Sequence, residues 1–222
     1  VYRGCAPEAN IIAIKAMDKD GGGDLTSILR ALQWIHDNAR KYNIRIVSMS
    51  VGTSPNPMSK IDPLELGVAK LWERGIVVVA AAGNGGPSRG TITTPGISRN
   101  IITVGAFDDG RGEGRPMKIP EFSSRGPAAG GIIKPDMLAP GVNIISVKSD
   151  IKYTSGPVRI MEPYTSMSGT SVAAPMVAGI CALLLQRNPH LHPNEVKKLL
   201  MSCTIPLTGN VFDEGGGRLF VR

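Results

Sequence analysis

At 222 residues, with 42% hydrophobic and 19% charged residues, the chain is long enough to bury a large core and reads as one globular domain. Its 27 glycines and 17 prolines are dispersed, which excludes low-complexity and solenoid architectures and marks them as turn punctuation. A net charge of +7 comes with Arg40-Lys41 and Lys197-Lys198 as the only adjacent basic pairs and with 5% aromatics, so no nucleic-acid partner is expected.

In chain order, residues 9–17 form a short apolar stretch that predicts a strand, and residues 18–23 a turn-rich loop. Asp24 is placed to cap a helix in which Ile28, Leu29, Leu32 and Ile35 share one face. Residues 44–51 predict a strand, nearly continuous in apolar side chains, as a sheet covered on both faces requires. Asp62-Pro63-Leu64-Glu65 combines a capping residue, a first-position proline and an acid at the third position, so a second helix runs from there to about Arg74, and Gly75 stops it. Residues 76–82 and 101–106 are two further apolar strands.

Past Phe107 the pattern loosens. Residues 108–120 read as a polar loop, 122–127 and 134–141 as short extended pieces broken by prolines, and 148–163 as a hairpin-like excursion. Residues 172–185 predict a helix that is apolar nearly all round and therefore buried, yet too short and too interrupted by Pro175 and Gly179 to span a bilayer. His192-Pro193-Asn194-Glu195 opens another capped helix through about Ser202, and residues 215–221 close the chain as a turn and strand. Alternation of strand and helix predicts an α/β fold with a mainly parallel sheet, whose ligands sit at the carboxyl ends of the strands.

Two stretches at such positions carry chemistry. In Ser168-Gly169-Thr170-Ser171-Val172-Ala173-Ala174-Pro175-Met176-Val177-Ala178-Gly179, a turn delivers Ser171 to a helix start, where unpaired N–H groups favour negative charge. A serine there is by itself an ordinary cap. In Ala80-Ala81-Ala82-Gly83-Asn84-Gly85, a glycine-rich turn follows a strand. A dinucleotide loop is excluded, because residues 87–100 have no helical period and the glycine spacing does not fit; Asn84 alone reads as a turn residue.

Together the two stretches resemble the nucleophile and oxyanion segments of the subtilisin-like serine peptidases. The resemblance extends to Gly4-Cys5-Ala6-Pro7, Ser48-Met49-Ser50-Val51-Gly52, Phe122-Ser123-Ser124-Arg125-Gly126-Pro127 and Lys134-Pro135-Asp136-Met137-Leu138-Ala139-Pro140-Gly141, in the family's order and spacing. Met176 departs from the family's usual histidine, Val172 from its methionine, and Thr93 stands where glycine often floors the primary pocket.

The resemblance implies a three-layer fold with helices on both faces of the sheet, incomplete at its N-terminal end. It implies peptide-bond hydrolysis with Ser171 as nucleophile, and with the Asn84 side chain and the Ser171 N–H as oxyanion donors. Ser50, Val51, Gly52, Ala81, Ala82, Gly83 and Thr93 would form the substrate strands and pocket, with 148–163 bordering the groove. The family orders its triad Asp, His, Ser, so the aspartate and histidine are expected ahead of Val1 or on a separate chain. His36, His190 and His192 are expected on the surface or at caps. No cofactor is implied for the chemistry; structural calcium is a family habit with no evident ligands here. The alternative is a peptide-binding pseudoenzyme of the same fold. Family habit points to secretion, whereas three cysteines, Cys5, Cys181 and Cys203, with no framework spacing point to a reducing interior.

Overall fold

The computed structural model describes residues 2–18, 20–56, 61–110, 114–148 and 164–220. Its elements run α1 (Leu25–Tyr42), β1 (Ile46–Met49), α2 (Pro63–Glu73), β2 (Val77–Ala81), β3 (Ile102–Phe107), β4 (Met137–Pro140), β5 (Ile144–Val147), β6 (Tyr164–Met167), α3 (Thr170–Arg187), α4 (Pro193–Ser202), β7 (Thr204–Ile205), α5 (Val211–Glu214) and β8 (Arg218–Leu219). The main sheet has the order β1-β2-β3-β4-β8-β7, parallel from β1 through β8 and closed by antiparallel β7. This is the α/β fold with a mainly parallel sheet.

Helix starts follow from local chemistry. The Asp24 carboxylate accepts the Ser27 N–H at 2.8 Å, and Asp62 accepts those of Leu64 and Glu65 at 2.8 and 3.1 Å, satisfying N–H groups that have no helical partner. At α4, the His192 ring accepts the Asn194 N–H and Glu195 returns to the His192 N–H at 2.7 Å.

Every residue of β2 and β3 is buried, and since alternate side chains face opposite ways, the sheet is covered on both faces. Helix α3 packs across β1 to β4. Ala173, Ala174, Val177 and Cys181 on its inner face are fully buried. Small side chains there let the helix backbone lie close to the strands.

At the amino ends of β3 and β4 a polar cluster is buried. Lys134, 1% exposed, donates to Ile101 O, Thr103 Oγ1 and Asp136 Oδ2 at 3.0, 2.9 and 2.7 Å. Asp136 also accepts the Thr103 N–H and pairs with Lys197 at 2.9 Å. A buried ammonium with three oxygen partners keeps its donors satisfied.

The sequence reading needs correcting in three places. Residues 9–17 form no strand: Ile11 is 88% exposed, and Ile12 and Ile14 are exposed too, because a parallel strand exists only by pairing and this stretch has no strand beside it. Helix α3 is longer than 172–185, continues through Pro175, and buries one face only; Leu183 on the other is 43% exposed. Residues 122–127, expected as a short extended piece, run as irregular, largely buried chain. Two short elements, β7 and α5, fall where no periodicity marks them. The excursion at 148–163 lies, from 149 on, outside the described residues; its flanks are the antiparallel ribbon β5–β6.

Candidate active site

The carboxyl ends of β1, β2 and β4 converge on the start of α3. Gly169 precedes the helix with φ of 153°, a conformation open to glycine, and its N–H donates to Gly141 O, just past β4, at 2.8 Å. Thr170 is fully buried as the first helical residue. Its N–H and hydroxyl meet Asn84 Oδ1 at 2.9 and 3.0 Å, and its Oγ1 accepts the Gly83 N–H at 3.2 Å. A backbone N–H can only donate, so the Asn84 atom it meets must be the carbonyl oxygen. The amide nitrogen of Asn84 is thereby turned the other way.

The side-chain amide of Asn84 and the Ser171 nitrogen lie near one point. A β-carbon placed on Gly169 would lie 3.4 Å from Asn84 Nδ2 and 3.7 Å from both Asn84 Oδ1 and Ser171 N. Two N–H donors thus border the space beside the half-buried Ser171. Ser50, past β1, donates its hydroxyl to Ser171 O at 2.9 Å.

Residues 50–52 and 81–83 stand on either side of Thr93. A β-carbon on Gly52 would come within 2.8 Å of Thr93 Oγ1, and one on Gly83 within 2.8 Å of Thr93 Cγ2. The Thr93 hydroxyl donates to Ala82 O at 3.3 Å. The side chain therefore fills the gap between the two strand ends, and only glycines at 52 and 83 leave room for it.

A sequence model of the Subtilase family matches residues 2–217. The chain belongs to the subtilase family. This subtilase is similar to the serine protease AprX of Bacillus subtilis (strain 168), at 46% identity over 213 residues, covering 91% of the chain and 48% of that protein. It is 33% identical over 221 residues to subtilisin DY of Bacillus licheniformis, covering 99% of the chain and 69% of that protein. Among solved structures, Sphericase superposes with a TM-score of 0.80 at 29% identity, over 98% of this chain and 70% of that one. The S41 psychrophilic protease gives 0.81 at 28% identity, with the same coverage. The chain thus spans about half the length of AprX.

Of the sequence-predicted site residues of this subtilase, Ser171, Asn84 and Ser50 come together, and Thr93 meets Gly52 and Gly83. The histidines do not join them. His36 lies on α1 against Asp37 at 3.0 Å, His190 is exposed, and His192 caps α4. Two of the three thiols are poor nucleophiles, since burial pushes Cys181 up to about 12 and also raises Cys5. Among the described residues there is no group of three or more His, Cys, Asp or Glu side chains that could hold a metal ion. Thr170 is the residue that sequence reasoning missed. A threonine beside a serine at a helix start signals a cap, and nothing in the local string says that it bonds to a loop 86 residues away.

Proposed function

We propose that these residues are the larger, carboxyl-terminal part of a subtilase catalytic domain that hydrolyses peptide bonds in proteins and peptides through an acyl-enzyme. Ser171 Oγ attacks the scissile carbonyl, forming a C–O bond as its proton passes to a histidine base. The C–N bond then breaks and the amine leaves with that proton; water releases the acyl group by the reverse transfer. The base and the aspartate that orients it are assigned to sequence ahead of Val1 or to a chain that docks beside it. The carbonyl oxygen, charged in the transition state, sits between Asn84 Nδ2 and the Ser171 N–H. An extended substrate lies between residues 50–52 and 81–83, pairing through backbone groups. Thr93 floors the pocket for the residue before the scissile bond and keeps it shallow.

The observation that carries this reading is the fixed orientation of Asn84. Thr170 occupies its carbonyl oxygen from two donors, so its amide nitrogen is held on the opposite side and need not reorganise when charge develops. A peptide-binding protein without catalysis has no need of that arrangement.

Fluorophosphonate labelling tests the proposal. The 222 residues alone should label negligibly, because a serine hydroxyl without its base is a weak nucleophile. With the upstream segment supplied, in cis or as a separate chain, labelling should appear, and mass spectrometry should place the adduct on Ser171. Strong labelling of the bare chain would assign it a base of its own. Absence of labelling in the folded, completed protein would favour the pseudoenzyme.

A further inference from the structure

The loop at 83–86 that carries Asn84 is gripped on two sides. Thr170 holds one. The other belongs to residues 122–126: the Ser124 N–H donates to Gly83 O at 3.0 Å, the Ser124 hydroxyl accepts the Gly85 N–H at 3.1 Å, and Phe122 O accepts the Gly86 N–H at 2.9 Å. Ser124 is fully buried and lies so close that a β-carbon on Gly83 would come within 2.9 Å of its hydroxyl.

Ser124 is held in part by its neighbour, beside the bonds of Thr91 to the Arg125 backbone and of the Ala106 N–H to the Ser123 hydroxyl. Arg125, 9% exposed, folds back so that its Nε donates to Ser123 O at 3.0 Å and its Nη2 to Pro120 O at 3.4 Å. Its Nη1 meets Asp213 Oδ2 at 3.3 Å. Asp213 belongs to α5, and the residue before it accepts the Gly126 N–H through Phe212 O at 2.7 Å. The other Asp213 oxygen meets Arg89 at 3.4 Å, and the Arg89 guanidinium lies 5.2 Å from the Phe212 ring centre. A continuous run of bonded groups therefore joins α5, near the end of the chain, to the loop of Asn84.

We infer that Arg125 and Asp213 are positioning residues for the Asn84 donor: the ion pair clamps residues 123–126 against α5, and Ser124 transmits that restraint to the 83–86 loop. The inference rests on the acyl-enzyme reading. Its physical basis is that a donor misplaced by a fraction of an ångström loses much of its effect on transition-state charge, while a charge-assisted, planar guanidinium contact holds position better than neutral bonds. Arg125 and Asp213 touch neither Ser171 nor the face of residues 50–52, and the one substrate-wall residue in their path, Gly83, keeps its bond to Thr170, so their loss should act on kcat more than on KM.

The test is a double-mutant cycle in the protein with its whole chain. Asp213→Asn should lower kcat roughly 10-fold with KM changed by less than about 2-fold. In an Asn84→Ala background the same substitution should change kcat less than about 2-fold, since the donor it positions is gone. Asp213→Glu should restore most of kcat by re-forming the pair. Equal losses of kcat in both backgrounds, a rise in KM alone, or an unaltered kcat would overturn the inference. If Asp213→Asn does not fold, Arg125→Lys carries the same cycle, keeping the charge and losing the fork. A wild-type protein that neither turns over nor labels at Ser171 would reject the acyl-enzyme reading instead.

Discussion

The hydroxyl of Ser50 donates to the carbonyl oxygen of Ser171 at 2.9 Å, and Pro175 is the reason that oxygen has room for it. In an uninterrupted helix the N–H four residues on would take the Ser171 carbonyl, but Pro175 has none. A proline within the nucleophile's helix and a serine on a distant strand end are thus complementary. Ser50→Ala should destabilise the fold by about 1 kcal/mol, at the low end because the site is open to water, and lower turnover several-fold. Pro175→Ala, by returning the N–H, should recover the stability lost. Urea unfolding of the two single variants and the double variant checks this; additive losses would contradict it.

Asn84→Ala should lower turnover by roughly 10²–10³-fold with little change in KM, because the donor acts on charge present only in the transition state. That range is the one found on removing the matching donor of a subtilisin. Thr170→Val keeps the N–H bond to Asn84 and loses the two hydroxyl bonds, so about a 10-fold loss is expected. Steady-state kinetics on one peptide series distinguishes them. A Thr170→Val effect as large as that of Asn84→Ala would place Thr170 in some other role.

Removing the Thr93 side chain opens the space between Gly52 and Gly83. Thr93→Gly should therefore raise cleavage after large aromatic residues relative to small ones. A single methylene in such a pocket is worth roughly 10–200-fold in preference, and this substitution removes three heavy atoms. Profiling with a peptide library checks it, and an unchanged profile would move the pocket elsewhere.

Burial holds Lys134 below its ordinary value of 10.5, at about 8, against the opposing pull of Asp136. Between pH 8 and 10.5 the unfolded chain binds a proton that the folded chain has released, so this group's contribution to the unfolding free energy rises with pH across that window. The gain is at most about 3 kcal/mol. Wild type should gain stability relative to Lys134→Met between about pH 7.5 and 10. Parallel urea midpoints across that range would refute the assignment.

Much of the frame was legible because it is written locally. Asp24, the Asp62-Pro63 pair, Gly75 and His192 mark helix ends through bonds to residues two to four positions away, and the apolar runs of β2 and β3 announce a covered sheet. The isoleucines at 11, 12 and 14 show the limit: their pattern matches a strand, but pairing requires a neighbour, which no single segment encodes. Ser171 and Asn84 were legible as a pair of motifs. Thr170 and Asp213 were not, since the partners that give them meaning, Asn84 and Arg125, lie 86 and 88 positions away. Helix α3 looked wholly buried because composition counts apolar residues without saying how much of the helix surface the sheet can cover.

The open flank of β1 bears on how these residues behave as a separate polypeptide. In the order of the sheet β1 stands at the end, and Ile46-Val47-Ser48-Met49 has neither proline nor charge within it. Unpaired N–H and C=O groups along such an edge invite a strand from another molecule. Expressed at high concentration, these residues are prone to self-associate edge to edge, so soluble yield depends on covering that edge with a strand or breaking it with a lysine at Ser48, whose side chain already faces water.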